Sequence, residues 1–255
     1  MIRLFRKIRQ QLLSEDKYPI YLVYAAGEIL LVVIGILLAL QIDNWNDQRK
    51  ERIRELNYLH AIKNDLELNR KEVESFIQQK QTAIESANIV IKYFENDTIY
   101  NPSYFNLHNL NVSISTRFEE KNNTFKELEN SGQLALISNK EIKNLLLDMD
   151  LIYRRIEFWT DHLYNDLREL NYAIQFHKVD LDPTIKNLTY QLSSGQLGEN
   201  VEPAIEQYRI LLSDLGYKNS FVLSNYNNQM IIQGLEEILE ESNRLIALID
   251  EELSQ

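Results

Sequence analysis

One run of residues constrains this chain more than any other. From Ile20 to Ile42 the sequence reads IYLVYAAGEILLVVIGILLALQI, 23 residues whose one charged side chain is Glu28. As a helix that run is about 34 Å long, enough for a hydrocarbon core of about 30 Å. Tyr18, Tyr21 and Tyr24 crowd its start and Trp45 follows its end, where aromatic belts are expected at a membrane surface. Pro19 suits a first helical turn, after a polar break at Ser14, Glu15 and Asp16. A signal peptide has a shorter apolar region closed by a small-x-small site. Here the run is longer and closes on Leu40-Gln41-Ile42-Asp43. The expectation is an uncleaved transmembrane helix, with a buried core helix as the alternative.

Charge supports a three-part organisation. The net charge is −11, yet residues 1–19 carry +3 and residues 43–255 carry −13. The segments read as a basic cytoplasmic interfacial piece (1–17), the transmembrane helix (18–42) and an acidic helical-bundle domain (43–255). Basic residues flank the span on both sides, so the positive-inside bias is weak. The first one beyond it, Arg49, comes only after Asp43 and Asp47. A short basic tail is also easier to retain than a large acidic domain. The expected topology is an inner-membrane protein with a cytoplasmic N-terminus and a periplasmic or extracytoplasmic body. Ile2, Phe5, Ile8 and Leu12 recur at helical spacing among basic residues, the pattern of an interfacial helix on an anionic leaflet. A basic tail acting only as a topology signal explains the same residues.

Beyond Asp43 the periodicity is helical. Leu56, Leu59, Leu66, Val73, Ile77, Ile84, Ile91 and Phe94 follow steps of mostly three, four or seven, and no Gly or Pro interrupts 36–101. The anchor is therefore expected to continue as one helix to about Asn96. Basic residues at several seam positions (Arg52, Lys63, Arg70, Lys80) favour a bundle helix over a strict coiled coil. Residues 96–116, with Pro102 and many Asn, read as a loop. Within it Asp97-Thr98-Ile99 matches a short bacterial glycosylation pattern that chance also produces. A short helix is expected over Thr124–Ser131, ended by Gly132. Ser138 and Glu141 form a capping box for a helix from about Asn139 to Lys178. Residues 179–202 read as loop or short helix. A helix follows from about Pro203 to Leu215, stopped by Gly216, and the last runs from about Asn219 to Leu253. The fold class is all-α: a single N-terminal transmembrane helix followed by an elongated extracytoplasmic helical bundle.

Two segments carry a family likeness. Residues 5–46, FRKIRQQLLSEDKYPIYLVYAAGEILLVVIGILLALQIDNWN, resemble the N-terminal signature of the bacterial domain-of-unknown-function family 6090. Residues 125–149 resemble its internal Leu-x-x-Ser-Gly-x-Leu-x-Leu-Ile motif, here Leu128, Ser131, Gly132, Leu134, Leu136 and Ile137. Asn130 stands where a small residue is common. The resemblance implies a single-pass membrane protein with a helical body, and it implies no activity. The Ser131-Gly132 turn also has a purely structural reading, in which Gly ends one helix and Ser138 starts the next.

Chemistry is harder to find. Without Cys there is no disulfide framework, thiolate metal site or thiol nucleophile. The acidic body argues against nucleic acid as a partner. No Walker loop, Gly-x-Ser-x-Gly elbow or His-Glu-x-x-His is present, and no Glu lies three residues before any His. No enzyme activity, metal or other cofactor is expected. Arg154 and Arg155 beside Trp159 could make a carboxylate pocket, but Arg stems laid over an apolar face are the more ordinary reading. In the span, Glu28, Gly35 and Ala39 fall on one helical stripe suited to helix–helix packing. The expected partners are the lipid bilayer and either further copies of the chain or a membrane complex. The function class is a structural or interaction protein of the bacterial envelope. The alternatives are an ion-coupled or channel-forming subunit using Glu28, and an extracytoplasmic ligand sensor.

Overall fold

The computed structural model describes residues 18–96, 99, 101–201 and 204–254. The proposed interfacial segment 1–17, and Asp97-Thr98 of the glycosylation pattern, lie outside them. Among the described residues there are helices and no strand. Helix α1 is Tyr18–Asn96. It is followed by α2 (Pro102–Ser113), α3 (Asn123–Asn130) and a 3-10 turn (Gln133–Leu136). Next come α4 (Lys140–Asp166), a π-helical turn (Leu167–Tyr172) and α5 (Ala173–Lys178). Helices α6 (Leu181–Leu192), α7 (Ile205–Leu212) and α8 (Leu215–Leu253) complete the chain. The chain divides into two compact units, 1–57 and 58–255.

In the first unit, α1 exposes its apolar side chains. Thirteen large ones between Leu22 and Ile42 are each 43–75% exposed. This helix is long and apolar enough to cross a membrane.

The second unit is a bundle in which α1, from residue 58 onward, is one wall. Its inner seam is Leu59, Ile62, Leu66, Asn69, Val73, Phe76, Lys80, Ala83, Ala87 and Val90, with Ile77 and Ser86 buried beside it. The seam positions alternate steps of three and four, which keeps one seam turned inward along the helix. Lys80 is buried as the seam pattern implied, whereas Arg70 is exposed.

Polar pairs set the directions. Lys63 meets Asp250 at 2.5 Å, Arg70 meets Asn243 at 3.2 Å and Asn88 meets Asn225 at 2.7 Å, so α8 runs antiparallel to α1. Asn139 reaches Glu252, Arg155 pairs with Glu237, and Asn227 reaches Asp166, so α8 is antiparallel to α4 as well. Gly234 sits at this contact, where an added Cβ would lie 2.6 Å from Ile156 Cγ1. Glycine here allows the close approach of the two helices.

The fourth wall is the surprise. Residues 102–136 run back antiparallel to α1, from Ser86 near His108, through Lys80 at Ser115, to Tyr58 at Glu127. The wall is made of α2, an extended link 114–122, α3 and the 3-10 turn. The result is an up-down-up-down bundle with one broken helix.

Several sequence expectations are corrected here. Residues 96–116 are not all loop, because Asn101 caps α2 by accepting from Tyr104 N at 3.1 Å and Pro102 opens it. The cap of α4 is Asn139, not Ser138: its side chain accepts from Glu141 N and Ile142 N. Glu141 is instead paired with Arg244 at 2.7 Å, so the expected capping box does not form. Gly216 stops nothing. It lies in the first turn of α8, which begins where Asp214 accepts from Tyr217 N at 3.0 Å. The stretch 179–202, read as loop or short helix, does hold a helix, α6, capped by Asp180.

Candidate functional site

The residues singled out in the sequence fall in three separate places. On α1, Glu28 is half-buried, Ala39 is exposed, and the space where Gly35 would carry a Cβ is empty to 4 Å. This side of the helix is open at Gly35 and Ala39.

The second group is the turn after α3. Ser131 Oγ donates to Glu127 O at 2.7 Å, and Gly132 takes the left-handed conformation at φ 69°. Nothing crowds a Cβ at Gly132, so the backbone conformation is what calls for glycine. Leu128 and Ile137 are buried, while Leu134 and Leu136 are half-buried and Ser138 is exposed. The motif docks the broken wall onto the core and redirects the chain into α4.

The third group does not converge. Arg154 pairs with Asp150 at 2.7 Å and faces the side that carries Arg117 and Glu120. Arg155 pairs with Glu237 on α8, and Trp159 packs edge-on against Tyr226, 5.7 Å between centroids. The three side chains therefore form no common carboxylate pocket.

What the sequence reading missed is a buried polar core. The irregular link 114–122 carries half-buried peptide groups against the bundle that no helix satisfies. Asn69 answers with both ends of its amide, donating to Lys121 O at 2.9 Å and accepting from Lys121 N at 2.7 Å. Tyr164 OH donates to Ser115 O at 2.6 Å, and Tyr172 OH donates to Ser113 O. Lys80 donates to Ser115 Oγ at 3.0 Å and Thr116 O at 3.3 Å, with its ammonium 4.7 Å from the Phe76 ring centre. Burial pushes the Lys80 ammonium down to about 8. Deeper in the unit, Asn171 in the π turn accepts from Ser113 Oγ at 3.3 Å and donates to Ser220 Oγ at 3.1 Å. The available signal was Asn69 and Lys80 standing in phase with Leu66, Val73 and Phe76. Among the described residues no cluster of His, Cys, Asp and Glu is placed to hold a metal ion.

Residues 28–132 match the model of a family described as a Family of unknown function (DUF6090). Over that stretch the chain is similar to that family. The DUF6090 segment takes in Glu28, Gly35 and Ala39, Asn69 and Lys80, and the motif up to Gly132; it stops short of Arg154, Arg155 and Trp159. It thus contains one straight wall of the bundle and nearly all of the broken one. No curated protein and no solved structure matches the chain.

Proposed function

We propose that this protein is a single-pass membrane protein of the bacterial envelope, working as a structural or interaction module through its anchor and its bundle. One observation carries the reading: the thirteen large apolar side chains exposed between Leu22 and Ile42, which water solvates poorly. In a bilayer that surface needs no protein cover, and the helix satisfies its own peptide groups. The basic head stays in the cytoplasm and the acidic body lies outside it. Further copies, or the helix of a membrane complex, dock on the Glu28, Gly35 and Ala39 stripe. The open space at Gly35 supports this, because small residues let helix backbones approach closely in lipid.

The test has two arms. A Cys replacing the exposed Ser194 should react with a membrane-impermeant maleimide once the outer barrier is permeabilised, while Ser14→Cys should not. Reversed labelling overturns the topology. Glu28→Ala combined with Gly35→Leu should lower crosslinked oligomer or partner yield at equal expression, leaving the bundle's circular dichroism intact. Parental yield in that variant would end the interface reading.

A further inference from the structure

A hollow of about 470 Å³ opens in the second unit between α2, the π turn with α5, and α6. That volume lies in the usual range for small-molecule sites. Its apolar surface comes from Leu107 and Leu110 on α2, Tyr172 and Phe176 beside the π turn, and Ile185 and Leu188 on α6. Leu107, Phe176 and Ile185 are each more than half exposed, so large apolar groups stand open to solvent here.

The lining has a second property. None of its seventeen residues is charged. A quarter of the chain is charged, so a set of that size drawn at random would hold about four such residues. The polar groups present are hydroxyls and carboxamides, and several are already fixed. Asn109 Oδ1 accepts from Tyr217 OH at 2.7 Å, Asn106 donates to Tyr208 OH at 2.5 Å, and Gln175 donates to Asn171. The π turn adds to this by carrying Asn171, which ties the floor together, next to Tyr172, which lines the hollow; such turns inside α-helices are frequent at functional sites. The hollow is thus preorganised, and it offers no counter-charge to an ion.

We propose that this hollow binds a neutral, mainly apolar small molecule carrying a hydroxyl or amide group. The apolar walls take its hydrocarbon part and the carboxamide-rich floor its hydrogen-bonding end. An ionised head of the same size is disfavoured on that floor, since it would give up water there and gain no counter-charge.

The test uses the full chain in lipid nanodiscs and two photoreactive probes, a diazirine-bearing dodecanol and the matching dodecanoate, at a pH where the acid is ionised. Adducts are mapped by peptide mass spectrometry. The alcohol should label peptides containing 104–110 and 172–188, and excess dodecanol should suppress that labelling. The carboxylate should label the same peptides about tenfold less. Leu107→Arg and Ile185→Arg, both at exposed positions, should each cut the alcohol's labelling there several-fold while circular dichroism stays parental. Adducts confined to residues 18–42, no adducts at all, or equal labelling by alcohol and carboxylate would each overturn the proposal. The comparison of the two probes needs only the parent protein, so a variant that misfolds does not rescue the idea.

Discussion

Lys80 should make the bundle's stability rise with pH over a window where most proteins are flat. Its ordinary value of 10.5 falls to about 8 in the folded chain because the ammonium is desolvated. The unfolded chain then holds more protons than the folded one between those two values, so stability increases as pH climbs through them. Below about 8 both states are protonated and the full penalty applies, about 3 kcal/mol for a displacement of that size. Between pH about 7.5 and about 9.5 roughly 2 kcal/mol of it should lift. Replacing Lys80 by Met removes the penalty but also the hydrogen bonds to Ser115 Oγ and Thr116 O and the attraction of the Phe76 ring. Those losses come to about 2–4 kcal/mol together, so the net change at neutral pH is small and uninformative. The slope is the informative quantity. Urea unfolding of the full chain in nanodiscs, followed by circular dichroism, should give the parent a gain of about 2 kcal/mol over that window and Lys80→Met almost none. Burial pushes the phenols of Tyr153 and Tyr217 upward, so their ionisation costs stability only as pH passes the ordinary value of 10. The window ends below it. Parallel curves for parent and variant would refute the reasoning.

Gly234→Ala should destabilise the bundle by about 1–3 kcal/mol, because the new Cβ meets Ile156 Cγ1 at 2.6 Å. Adding Ile156→Ala should make the pair less damaging than the two single costs combined, as a double-mutant cycle would read. Asn139→Ala should cost about 1 kcal/mol by removing the cap of α4, and Asn139→Ser, which caps without setting a second carboxylate against Glu252, should restore most of it in thermal melts.

The three long helices were legible because each buries a stripe of apolar residues at helical spacing over many turns. Leu59, Leu66, Val73 and Ile77 were placed on the inner seam and are buried there. The caps were harder, since Ser138 and Asn139 are adjacent good cappers and only the backbone geometry chooses between them. Residues 96–116 were misread for the opposite reason. Asparagine-rich sequence usually means loop, but Asn101-Pro102 is also a helix start, and tertiary contact decided. The hollow was not legible, because its walls come from α2, the π turn and α6, which no local pattern relates.

The amides and hydroxyls inside the bundle bear on how many folds this chain has to reject. A bundle whose interior is uniformly apolar can slide one helix past another by a turn and lose little, which leaves competing compact states close in energy. Here such a slip would pull Asn69 away from Lys121, and Asn171 away from Ser113 and Ser220. Each stranded amide costs about 1–3 kcal/mol, so a slipped bundle falls well below the native one. The interior gives up some hydrophobic burial and gains a wider energy gap, which lets a wall built of fragments occupy one position only.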